Sequence, residues 1–86
     1  MERKEIQELT IKAIEKHIAE SGPEDIYVET PLHGHRNSWT FAEALEAAKN
    51  DTELPDSCGI NPVSDMELFI KYCDERGREW KELFGI

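Results

Sequence analysis

Apolar residues recur at helical spacing in three stretches of the chain and at strand spacing in one. In residues 2–20 neither Gly nor Pro interrupts a run of mostly good helix formers. At about 100° per residue, Ile6, Leu9, Ala13 and His17 fall on one side and Ile11, Ile14 and Ile18 on the adjoining side. The apolar arc is therefore roughly 200° wide, against about 100° for an ordinary surface helix. A helix so coated touches two neighbours. Two neighbours within one core is the simpler arrangement, and one neighbour from a partner chain is the other. Ser21-Gly22-Pro23 ends the stretch, with Gly just past the last turn and Pro beyond it.

The second helical stretch opens at Thr40, which forms a capping box with Glu43, and runs to about residue 50. Phe41, Ala44, Leu45 and Ala48 make a narrow, small-residue stripe that a neighbour can approach closely, while Glu43, Glu46 and Lys49 face away. Trp39 precedes the cap, where it can staple the incoming chain to the first turn. The third stretch reads as a second capping box, Ser64 with Glu67, opening a helix with Met66, Phe69, Ile70 and Cys73 on one face and Leu68 and Tyr72 flanking. Trp80, Leu83 and Phe84 continue that face if the helix passes through Gly77, at a cost near 1 kcal/mol. The expected span is 65–84.

Ile26-Tyr27-Val28-Glu29-Thr30 has strand character and is closed by Pro31. One short strand needs a partner. Residues 36–39 supply it if the chain turns across Leu32-His33-Gly34-His35, and a second copy of the chain supplies it otherwise. The predicted fold is mostly α (α+β): one domain, residues 1–86, with helices at about 2–20, 40–50 and 65–84 and a short strand or hairpin near 26–30.

Charge changes the picture more than composition does. The chain carries 19 acids against 10 bases, a net charge of −9. The excess sits in residues 21–67, where ten acids face only Arg36 and Lys49. Direct binding to a nucleic-acid backbone is disfavoured, because it depends on Lys and Arg releasing counterions. A partner drawn by charge would be basic and would meet the middle of the chain. No run is apolar enough for a secretory leader or a membrane span, which points to a cytoplasmic protein. Cys58 and Cys73 are then more simply reduced than bridged.

The local chemistry is sparse. His33 and His35 alternate after the strand and, with Cys58 or His17, are the weak candidates for a metal site; zinc needs three or four ligands. Cys58 as a nucleophile would need a base and a lowered pKa, but Asp51, Glu53 and Asp56 surround it in sequence and act the other way. Phosphate-binding loops, dinucleotide glycine patterns and nucleophile elbows do not occur. These readings predict no catalytic residue and no cofactor.

Aromatic and arginine residues are the more informative set. Arg36, Trp39, Trp80, Leu83 and Phe84 are the types that anchor protein interfaces, and Arg36-Asn37-Ser38-Trp39 is the stretch expected at the surface. The run Ser38-Trp39-Thr40-Phe41-Ala42-Glu43-Ala44, followed by Asn50-Asp51-Thr52-Glu53-Leu54, resembles a phrase in short uncharacterised bacterial and phage accessory proteins. That resemblance implies a small soluble protein and no activity. The expected role is a non-enzymatic interaction or regulatory module whose partner is a protein, including a second copy of itself. The rivals are an acidic mimic of nucleic acid that inhibits a basic protein, and a metal-binding protein using His33 and His35.

Overall fold

The computed structural model describes residues 1–30 and 36–77. Three helices and a two-stranded antiparallel sheet follow in the order α1 (Arg3–Ser21), β1 (Ile26–Glu29), β2 (Ser38–Thr40), α2 (Phe41–Asn50) and α3 (Pro62–Glu75). The predicted mixed, mostly helical class is the observed one.

The wide arc of α1 is used within the chain, since α1 packs on both α2 and α3. Its fully buried positions are Ile6, Thr10 and Ile14, one turn apart, with Leu9, Ile11, Ala13 and Ile18 packed partly against the same core. Thr10 is absent from any apolar count. It is tolerated at the centre of the stripe because its hydroxyl donates to the Ile6 carbonyl of its own helix at 2.7 Å.

β1 pairs with β2, so residues 38–40 are the partner that the strand requires. Val28 faces Trp39 and Glu29 faces Ser38, with an irregularity in the register between Ile26 and Val28. The sheet leads directly into α2. The predicted capping box forms: Thr40 Oγ1 accepts from the Glu43 amide, and the Glu43 carboxylate accepts from the Thr40 amide. The turn before β1 completes the cap, because the Phe41 and Ala42 amides donate to the Asp25 and Pro23 carbonyls. At the other end of α2, the Gln7 side-chain amide donates to the Ala48 and Lys49 carbonyls in the last turn, where the Ala48 carbonyl also accepts from the Asp51 amide.

Two boundaries of the last helix differ from the sequence expectation. It begins at Pro62, two residues before Ser64, with Asn61 as the cap accepting from the Val63 and Ser64 amides. Pro fits the first helical position because its missing N–H would be unpaired there in any case. Ser64 instead lies within the first turn and accepts from the Arg3 guanidinium at 2.8 Å. At the other end α3 stops at Glu75, and Gly77 takes φ = +67°, outside the helical region. A continuous helix through Gly77 is thereby excluded, and residues 78–84 of the expected span lie outside the described residues. No helix among the described residues is long and apolar enough to cross a membrane.

Candidate functional site

An open cleft of about 340 Å³ lies between α1, β1, the start of α2 and the first turns of α3. Its walls are largely apolar: Ala13 and Ile14 from α1, Phe41 from α2, and Met66 and Phe69 from α3. Phe41 is the hub. Its ring stacks on the His17 imidazole with centroids 3.7 Å apart and meets the Tyr27 ring edge-on at 5.3 Å. His17 is oriented by Asp25, whose carboxylate lies 2.7 Å from Nε2, and this contact holds the Asp25 carboxyl below the usual carboxylate range.

Two polar groups in the cleft are shifted the other way. Burial pushes the Tyr27 phenol up to about 12, reinforced by the negative charge of Asp65. Desolvation raises Asp65. Asp65 is exposed at the rim of the cleft, in the first turn of α3, and no ion pair or hydrogen bond reaches its carboxylate among the described residues. The rim of the cleft thus offers one solvent-exposed acceptor.

Asp65 also begins a stripe on α3. Asp65, Leu68, Tyr72 and Arg76 are spaced by three, four and four residues and therefore follow one face of the helix. Leu68 is 65% exposed and Tyr72 47% exposed, the largest apolar surfaces that α3 presents to solvent. The Arg76 guanidinium sits 4.9 Å over the Tyr72 ring, a cation–π geometry.

The sequence-predicted site residues separate into three groups. Trp39, expected at the surface, belongs to the core: it is 1% exposed, and its indole N–H donates to the Pro55 carbonyl at 2.7 Å. Its position in β2 turns the ring inward, and the acceptor in the 51–60 loop makes full burial of the N–H tolerable. Arg36 lies over Trp39 at 5.6 Å, donates to the Ser38 carbonyl and pairs with Glu43, holding that carboxyl low. It buttresses the capping box. Trp80, Leu83 and Phe84 lie outside the described residues, as do His33 and His35.

Cys58 is an exposed free thiol at φ = +57° in the loop that leads to α3, and Cys73 is a buried one. Among the described residues no group of three or more His, Cys, Asp and Glu side chains could hold a metal ion. The cleft and the Leu68–Tyr72 stripe are what sequence reasoning missed. The signal for the stripe was present, because Leu68 and Tyr72 sit one turn apart and off the Met66–Ile70–Cys73 face. The cleft had no such signal, because its lining comes from four separate segments. Comparison with protein-family models, with curated proteins and with solved structures finds no match to this chain.

Proposed function

We propose that this chain is a small, non-enzymatic protein-interaction module that acts as a homodimer in the cytoplasm and joins its partner through the exposed stripe of α3. The observation that carries the reading is the pairing of Leu68 and Tyr72, both well exposed, with Arg76 stacked on the tyrosine. Tyrosine and arginine side chains are the residue types enriched at interface centres, and here they stand beside an exposed leucine.

Charge favours a second copy at this face. Residues 68–77 balance Lys71 and Arg76 against Asp74 and Glu75, whereas residues 21–67 carry a net −8 that would repel their own image. Glu67 is turned toward Arg3 at 3.5 Å, which draws its charge away from the stripe. Two free thiols, one of them exposed, agree with a reducing compartment.

Sedimentation over a tenfold range of protein concentration tests the proposal. A mass that rises with concentration, and that returns to the monomer in a Leu68→Glu/Tyr72→Glu variant of unchanged helicity, supports it. A strict monomer at every concentration removes it.

A further inference from the structure

We propose that, in the homodimer, Arg76 of each copy docks against Asp65 of the other at the mouth of the cleft, so that each site is completed by its partner. The inference rests on the self-association proposed above and assigns its register. A twofold contact is isologous, so the two α3 helices lie antiparallel and every contact occurs twice. If Tyr72 packs against Leu68 of the second copy, the midpoint of the contact falls at residue 70. Residues equally far from that midpoint then face each other.

Arg76 lies six positions after residue 70 and Asp65 five before it, offsets of about 9 Å and about 7.5 Å along a helix rising 1.5 Å per residue. The same register that buries the two apolar side chains therefore brings the guanidinium of one copy beside the carboxylate of the other, within the reach of an arginine side chain. All four residues lie on one stripe, so no rotation of the helix is needed.

The chemistry of each end fits the pairing. Asp65 is an exposed acceptor with no cation or side-chain donor among the described residues, at the edge of an apolar cleft. Arg76 has its guanidinium on the Tyr72 ring, a contact that leaves its N–H fork free for a planar carboxylate. An arginine across the cleft mouth would cover part of the Phe41 surface with its aliphatic stem.

Charge reversal tests the register separately from the association. Asp65→Lys and Arg76→Glu are surface changes, and circular dichroism would verify that each variant stays folded. Each single reversal is expected to weaken the dimer roughly tenfold by sedimentation equilibrium, since two symmetry-related, partly exposed pairs are lost. The double variant Asp65→Lys/Arg76→Glu is expected to recover most of that loss, because the reversed charges again face each other. A wild-type dimer that the single reversals leave intact, or that the double variant fails to restore, overturns the register while leaving association through Leu68 and Tyr72 standing. A wild-type chain that never associates overturns both.

Discussion

The indole N–H of Trp39 donates to the carbonyl of Pro55 at 2.7 Å, joining β2 to the loop that carries the chain from α2 to α3. Through this contact one side chain fills the core and fixes a segment that has no helix or strand of its own. Leu54 beside it is buried, and its amide donates to the Ile60 carbonyl, closing the loop. Trp39→Phe is expected to cost about 2 kcal/mol, from the void left by the smaller ring and from an acceptor that loses its donor. The shift of the urea midpoint measures it. A midpoint within error of wild type would place the indole outside the cooperative core.

Arg3 ties three helices together and makes the acid limb of stability specific. Its guanidinium donates to both oxygens of Asp51 at 2.9 and 2.7 Å, and Asp51 also accepts from Asn61. The Asp51 carboxyl is held below its ordinary value, chiefly by the hydrogen bonds from Arg3. The sign follows from linkage: with a depressed folded pKa, the stabilisation is present above the ordinary carboxylate pKa of 3.8 and is lost as pH falls through the lower folded value. Asp25 and Glu43 are shifted in the same direction, whereas Asp65 is shifted in the opposite one. Asp51→Asn keeps a residue that tolerates φ = +48° while removing the charge. It is expected to cost about 1 kcal/mol at neutral pH, the value of a partly exposed and solvent-screened pair, and to flatten the loss of stability below about pH 4. Thermal midpoints collected from pH 7 to pH 2 for both proteins provide the check.

Tyr27 offers a spectroscopic report on the cleft. Its phenol is pushed up to about 12 by burial and by Asp65. An absorbance titration at alkaline pH is expected to resolve one phenol ionising near that value, absent in Tyr27→Phe and moved downward in Asp65→Asn. Because the folded state keeps its proton longer than the unfolded chain, stability falls as pH rises from the ordinary tyrosine value of 10 toward 12. A titration in which Tyr27→Phe removes no late step would contradict the packing of this ring.

The start of α3 distinguishes two caps by mutation. Asn61 accepts from two amides of the first turn, whereas Ser64 accepts only from Arg3. Asn61→Ala is expected to cost about 1 kcal/mol, as the loss of an N-cap does, and Ser64→Ala distinctly less. Equal losses in chemical denaturation, or a larger one for Ser64→Ala, would return the cap to Ser64.

Much of the scaffold was legible in local pattern. The long N-terminal helix, its stop at Gly22, the Thr40–Glu43 box and the strand at Ile26 each depend on residues within a turn or two of one another. Local rules reached less far where two signals competed. Ser64–Glu67 satisfies the capping-box pattern, yet Asn61 with Pro62 two residues earlier prevails because it satisfies the first amides sooner and needs no donor from proline. At Gly77 the apolar face continued by Trp80, Leu83 and Phe84 argued for continuity, and the glycine's access to positive φ ended the helix instead.

What the amino-acid order determined by itself was therefore the set of elements and the acidic character of the chain's middle. The burial of Trp39, the pairing of Arg3 with Asp51 across 48 residues and the placing of Asp65 in one cleft with Tyr27 and Phe41 were decided only by the tertiary structure. The physical reason is range. Capping and periodicity act between neighbours along the chain, whereas an acceptor for an indole, a partner for a guanidinium or the lining of a cleft depends on which distant segments the packed helices bring together.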